Sequence, residues 1–330
     1  MENRFILGGD IGGTKTLLQL AEVRKTGIAA LLERRYDSQA FAGLTPMVAD
    51  LLQEVGNMQL GAACLGVAGP VSEGRAQITN LPWSVDAAAI GAAFSIPKVR
   101  LINDFQAVAY GIETLDEKDF VTLQTGQVAL HGTRAVIGAG TGLGEGFMVW
   151  QGDHYEALPS EGSHGDFAPV DALQIELQGY LASRFGHVSY ERIVSGPGLV
   201  HIFEFLRDGG HGQPSPELAV ALAANTDHAA AIAEYALNGQ DPMAMRALSL
   251  FVRVYGAEAG NLALKVLATG GVYVAGGIAP KIIQQLQQGD FMDSFTAKGR
   301  FSELLSSIPV RVVLNPQVGL MGALAVAARM

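Results

Sequence analysis

Two glycine-rich stretches carry the residue types that could meet phosphate. The first, Gly8-Gly9-Asp10-Ile11-Gly12-Gly13-Thr14-Lys15-Thr16, looks like a nucleotide P-loop but has Thr14 where that motif needs glycine before Lys15-Thr16. The residues after it, Thr16 to Ala21, are β-branched and apolar and predict a strand, whereas a P-loop opens a helix. The stretch therefore reads as strand, glycine turn, strand. Shifting the chain by 130 positions lays Phe5–Leu20 over Ala135–Trp150, with Gly8 over Gly138 and Gly12 over Gly142. The second copy, with Gly138, Gly140, Gly142, Gly144 and Gly146 alternating singly, also lacks the G-x-G-x-x-G dinucleotide fingerprint.

Glycine has no Cβ, so turn amides can lie against phosphate oxygens and φ > 0 is reached without strain. Asp10, inside the first copy, could hold Mg²⁺ directly or through water. Either hairpin alone is also explained by turn geometry. The matched pair predicts a duplicated α/β unit with a ligand between its halves.

A second group of residues suits a ligand rich in hydroxyls. Asn103 and Asp104 close the apolar run Leu101-Ile102 and precede a helical pattern, which puts Asp104 at the carboxyl end of a strand, where α/β folds place their sites. Asp104 could equally be the N-cap of that helix. Glu161-Gly162-Ser163-His164-Gly165-Asp166 packs donors and acceptors into one loop; His164 and Asp166 lack the further ligands a metal site needs. Glu191 could join Asn103, Asp104, Glu161 and His164 around the hydroxyls, or be a surface residue paired with Arg192. One of these carboxylates would take the proton of an attacking hydroxyl.

The elements that must position these groups alternate along the chain. Strands are predicted at Leu60–Ala68, Val99–Asn103, Val272–Gly277 (with a turn) and Val310–Leu314, and helices at Pro46–Val55, Phe105–Leu115, Met243–Leu267, Lys281–Gln288 and Val318–Arg329. Helical signals dominate Val170–Leu267. The expected division is residues 1–115 plus 315–330 as a small α/β domain and 116–314 as a large one, with Asp116–Asp119 as hinge and the last helix packed on the small domain.

Composition narrows the class. The 330 residues are 49% apolar and 16% charged, with formal charge −10, which speaks against a general electrostatic grip on nucleic acid or on an anionic membrane. The uncharged run Val312–Ala328 holds 17 residues and is broken by Asn315-Pro316-Gln317, short of a membrane span. No signal-peptide core is expected near Arg4, and the single Cys64 offers neither a disulfide framework nor a thiolate metal site, so the cytoplasm is the expected compartment.

Taken together, GGDIGGTKT, LINDFQAVAYG, GAGTGLGEG, EGSHGDFAP, SYERIVSGPGLV and VAGGIAPK resemble, in order and over nearly the whole chain, the bacterial glucokinases of the hexokinase, actin and heat-shock-chaperone ATPase superfamily. The resemblance implies duplicated actin-like ATPase (ribonuclease H-like) domains with an interdomain cleft. It implies ATP-dependent phosphorylation of the 6-hydroxyl of glucose, with ATP and Mg²⁺ as cofactors, in a cytoplasmic homodimer that acts in glycolysis. Asp104 would be the general base, with Asn103, Glu161, His164 and Glu191 binding the other hydroxyls. Gly9, Asp10, Ile11, Gly12, Gly13 and Thr14 with Gly140, Thr141 and Gly142 would cradle phosphates, Asp10 would hold Mg²⁺ through water, and Gly276 and Gly277 would lie under the adenosine.

Lys15, where many such enzymes carry Asn, instead resembles the repressor and open-reading-frame sugar kinases, whose cysteine-rich zinc loop one cysteine cannot build. Three rivals keep parts of this pattern. A kinase for another hexose or N-acetylhexosamine would differ at contacts to the 2-position. A nucleotide-gated chaperone ATPase or filament subunit would need no hydroxyl-binding loop. A sugar-sensing repressor would need a helix-turn-helix ahead of the first hairpin, where seven residues precede Gly8.

Overall fold

A computed structural model describes residues 4–56, 58–78 and 81–330. The chain divides into two compact units, one of Met1–Glu117, Asp153–Pro159 and Asn315–Met330, the other of Lys118–Gly152 and Ser160–Leu314. The first begins with β1 (Arg4–Ile11), β2 (Lys15–Arg24), β3 (Gly27–Asp37), α1 (Leu44–Gln53) and β4 (Leu60–Val67). It continues through a small antiparallel sheet of β5 (Val71–Ser72), β6 (Arg75–Gln77) and β7 (Ser84–Asp86) to α2 (Ala87–Phe94), β8 (Val99–Asn103) and α3 (Asp104–Ile112). The chain then passes through β9 (Phe120–Gln124), β10 (Arg134–Ala139), β11 (Leu143–Trp150), β12 (Tyr155–Ser160), α4 (Ala172–Phe185), α5 (Gly196–Asp208), α6 (Pro216–Ala224), α7 (His228–Leu237) and α8 (Pro242–Val266). It ends with β13 (Gly271–Ala275), α9 (Ile283–Gln287), α10 (Asp290–Thr296), α11 (Ser302–Ser307), β14 (Val310–Val313) and α12 (Val318–Arg329).

The main sheet of the first unit runs β3-β2-β1-β4-β8. β1 is antiparallel to β2 and parallel to β4, and β4 is parallel to β8. In the second unit the order β11-β10-β13-β14 repeats β2-β1-β4-β8, with β10 antiparallel to β11 and parallel to β13, and β13 parallel to β14. The duplication visible in the glycine pattern is thus a duplication of topology. β1, β4 and β10 are apolar on both faces because helices or loops cover both, as central strands of α/β sheets require.

The first unit closes its core with Leu7, Leu18, Leu20, Leu65 and Val67 from the sheet against Met47 and Leu51 of α1. α12 packs on α3 so closely that glycines stand at the contact: a Cβ on Gly322 would collide with Ala107 O, and one on Gly111 with Val318 O. In the second unit the 25-residue α8 is the buried spine. Its N-cap Asp241, fully buried, accepts from Ala244 N at 2.7 Å and from Ser215 N at 2.6 Å, so that the carboxylate is satisfied on both oxygens. The strands at Leu60, Val99 and Val310 and the helices beginning at Asp104, Pro242 and Val318 match the sequence reading to within a few residues at their ends. Among the described residues no helix is long and apolar enough to cross a membrane.

Candidate functional site

Within the first unit the glycine turn is short. Gly9 and Ile11 belong to β1, Ile11 fully buried, and a Cβ at Gly9 would press on Leu65, Ile11 and Leu18; Gly9 serves packing there. Gly12-Gly13-Thr14 forms the turn itself, closed by Gly12 N donating to Lys15 O at 3.0 Å. Ser38, which the sequence reading passed over, braces it: Ser38 Oγ donates to Gly12 O at 2.8 Å, and Ser38 N donates to Thr14 O at 2.9 Å. Asp10, at the end of β1, has its carboxyl pKa raised because burial penalises the charge, with Lys15 opposing.

β8 delivers Asn103 and Asp104 to the start of α3. Asp104 is not the N-cap, the alternative that the sequence left open; Asn103 is, because Asn103 Oδ1 accepts from Phe105 N at 2.8 Å and from Gln106 N at 3.4 Å while Gln106 Oε1 accepts from Asn103 N at 3.1 Å, a reciprocal capping box with Gln106. Asn103 Nδ2 donates to Gly69 O at 3.2 Å. Asp104 occupies the first helical position, half-buried, with Oδ1 accepting from Phe105 N at 2.9 Å. The cap falling to its neighbour leaves the Asp104 carboxylate near the positive end of α3 without obliging it to close the helix.

In the second unit Glu161, His164 and Glu191 come together although some thirty residues separate the first from the last. A bridge between Asp166 and Ser189, with Phe167 N donating to Val188 O at 2.9 Å, lays the two loops side by side. His164 Nε2 is 3.7 Å from Glu161 Oε2, and His164 Nδ1 is 3.9 Å from Glu191 Oε1. The other Glu191 oxygen accepts from Leu143 N at 2.9 Å, at the end of the second glycine turn. Glu191 is thus not a surface residue paired with Arg192, whose guanidinium lies over Phe185. Asp166 faces His187 at 3.0 Å, and among the described residues no three His, Cys, Asp or Glu side chains are grouped to hold a metal.

The second glycine turn opens on a cavity of about 680 Å³ within this unit, bordered by Gly140, Thr141, Gly196, Asp227, Gly277 and Lys281. Gly140 N donates to Gly142 O at 2.8 Å, and Gly140 O accepts from Gly196 N at 2.8 Å, which fastens the turn to the N-terminus of α5. Gly277 lines the cavity with open space at its Cα, whereas Gly276, at φ 81°, is required where a Cβ would meet Ala139 O at 2.5 Å. The start of α5 was missed as a binding element, although Ser195-Gly196-Pro197 is a helix-start signature: Ser195 Oγ caps Gly198 N at 3.0 Å and Pro197 sits in the first turn. With Gly196 N given to Gly140 O, Gly198 N to Ser195 Oγ and no N–H on Pro197, what this end of α5 brings to the cavity is the positive end of its dipole.

Two sheets of one strand order, each with a glycine hairpin, define an actin-like ATPase fold, and the acidic and imidazole side chains beside the second hairpin place it among the sugar kinases. The glucokinase family profile matches residues 7–330, and the chain belongs to the glucokinase family. It is 45% identical over 340 residues to the glucokinase of Nostoc sp. (strain PCC 7120), covering 99% of each chain. The glucokinase of an Antarctic psychrotroph superposes with TM-score 0.85 at 31% identity over 99% of each chain. The Balamuthia mandrillaris glucokinase, solved in complex with glucose, superposes with TM-score 0.82 at 25% identity over 98% of this chain and 94% of that one.

Proposed function

We propose that this chain phosphorylates glucose at the 6-hydroxyl with ATP through Asp104 as general base. The oxygen of the 6-hydroxyl attacks the γ-phosphorus, the bond from that phosphorus to the β–γ bridging oxygen breaks, and the hydroxyl proton passes to the Asp104 carboxylate. Glucose 6-phosphate and ADP leave. Phosphoryl transfer has a loose transition state, so aiming the hydroxyl matters more than basic strength, and a carboxylate of ordinary basicity suffices.

The observation that carries the reading is the string Glu161, His164, Glu191, with its far end bonded to Leu143 N of a glycine turn. Such a string supplies acceptors and a donor for vicinal hydroxyls, which a chaperone ATPase or filament subunit would not need. Asn103, Glu161, His164 and Glu191 would bind the hydroxyls other than the reacting one. Gly12-Gly13-Thr14 and Gly140-Thr141-Gly142 would meet the phosphates, and Gly277 would border the adenosine. Asp10 suits Mg²⁺: its carboxyl is held against ionisation by burial, a penalty that a cation relieves. The metal would neutralise charge on the phosphates. A cytoplasmic homodimer working in glycolysis fits this activity.

A coupled assay with a panel of hexoses against ATP, ADP and polyphosphate tests the substrate assignment. Asp104→Asn should lower kcat by about two to four decades, the usual scale for a general base, while glucose KM changes modestly. Turnover near that of the unaltered chain would remove Asp104 from the role.

A further inference from the structure

Behind the turn that carries Glu161 and His164 lies a carboxyl group that the reaction does not use. Glu145 stands on β11 opposite Ile137, 1% exposed; no donor bonds either of its oxygens, and its own proton, when present, can be donated to Glu258. The groups that act on it come from α8 and from the turn. From α8 come Glu258, itself fully buried, Lys265, which donates to Glu258 Oε1 at 3.1 Å, and Tyr255, whose hydroxyl accepts from Ala139 N at 3.1 Å. One step further out, the Tyr190 hydroxyl and Lys298 Nζ bond Asn261 at 2.9 and 2.7 Å, and Asn261 Nδ2 donates to Glu258 Oε2 at 2.8 Å. From the turn comes Gly162: a Cβ there would collide with Glu145 Oε2 and stand 3.0 Å from Ser160 Oγ.

Glycine at 162 therefore lets the turn's backbone rest directly on the Glu145 carboxyl. Glu258 is bonded by Asn261 and Lys265, whereas Lys265 acts on Glu145 only through its charge, and two negative charges side by side in a dry site repel strongly. Burial first, and the Glu258 charge second, push the Glu145 pKa up to about 8, with Lys265 opposing. The uncharged acid packs quietly against the turn. The anion would need water, and the half-buried backbone of Gly162 lies directly against it.

We propose that Glu145 is a positioning residue for the Glu161–His164 turn: as an uncharged acid it supports Gly162 from behind, and its ionisation displaces the turn and weakens sugar binding. This rests on the reading that the turn holds the sugar. The test is the glucose KM, the ATP KM and kcat of the full chain measured from pH 6 to pH 10. Glucose KM should stay level and then rise by about tenfold per pH unit above about 8, with ATP KM and kcat at saturation flat.

Glu145→Gln, which keeps the shape of the uncharged acid, should abolish the rise. Glu258→Gln removes the repelling charge and should move the rise to lower pH; it keeps the proposal open to refutation if Glu145→Gln does not fold. A level glucose KM in the unaltered chain, or an unchanged alkaline rise in either variant, overturns the proposal. Glu161→Gln in the same assay separates the two readings: an unchanged glucose KM at neutral pH in that variant sinks the sugar-binding turn itself, whatever Glu145 does.

Discussion

The contact between α12 and α3 makes one substitution, glycine to alanine, act in opposite directions at two helical positions. A Cβ added at Gly322 would overlap Ala107 O and stand 2.6 Å from Gly111 N. Both obstacles are backbone, so no rotamer change relieves them, and the helices must separate. Overpacking of this kind costs about 1–3 kcal/mol, and a rigid obstacle belongs at the top of that range. Replacing glycine within a helix returns about 1 kcal/mol of propensity. The net for Gly322→Ala is a loss of about 2 kcal/mol, a fall in Tm of about 4–8 °C for a unit of this size. Gly179 in α4 is exposed, and an added Cβ would meet nothing within 4 Å. Gly179→Ala should therefore gain about 0.5–1 kcal/mol and raise the Tm of its unit by about 1–4 °C. Scanning calorimetry with far-UV circular dichroism measures both. Should Gly322→Ala melt at or above the unaltered chain, the close backbone approach is not what sets the α12–α3 distance.

Two charge substitutions separate stability from function. Asp10→Asn removes a carboxylate that burial disfavours, so that thermal stability at pH 8 should rise while turnover falls, Asp10 being the proposed magnesium ligand; a variant less stable than the unaltered chain at that pH would refute the reading. Glu145 keeps its proton when folded at pH values where the unfolded chain has released it, so its stabilising effect is complete below about 4.5 and is lost as pH rises through about 8. Across that window urea midpoints should show the unaltered chain losing about 1.4 kcal/mol per pH unit relative to Glu145→Gln, and parallel profiles would count against it.

What could be read in advance follows how local each signal is. Leu60–Val67 was legible because a central strand covered on both faces appears as an apolar run, and Val99–Asn103, at the edge of the same sheet, because Leu101-Ile102 runs into Asn103-Asp104 ahead of a helical pattern. β3 was missed because its sequence, GIAALLERRYD, lies largely exposed at the sheet edge and lacks clean alternation. Asn103-x-x-Gln106 is a capping-box spacing that a closer reading would have preferred to an Asp104 cap. Gly9 and Gly12 look alike in sequence; one fills a packing gap in β1 and the other makes the turn, a distinction that only the neighbours Leu65 and Leu18 draw. Glu145, between glycines in an apolar strand, reads as a solvent-facing position, and its burial depends on α8, more than a hundred residues away.

The grouping of Glu161, His164 and Glu191 also depends on a long-range pairing, and it has a mechanical consequence. Glu191 uses one carboxylate oxygen on the amide that ends the Gly140–Gly142 turn and turns the other toward His164. A Cβ at Gly142 would strike Glu191 Oε2 at 2.5 Å, so glycine there is needed for the carboxylate to reach Leu143 N. A side chain proposed to bind sugar is therefore part of the frame of a turn proposed to bind phosphate. Movement of either displaces the other, because the Leu143 amide, if abandoned by Glu191, is left as an orphaned donor at a cost of about 1–3 kcal/mol. Glycine at 142 thus does more than permit a turn: it joins the two binding elements of this unit through a single carboxylate.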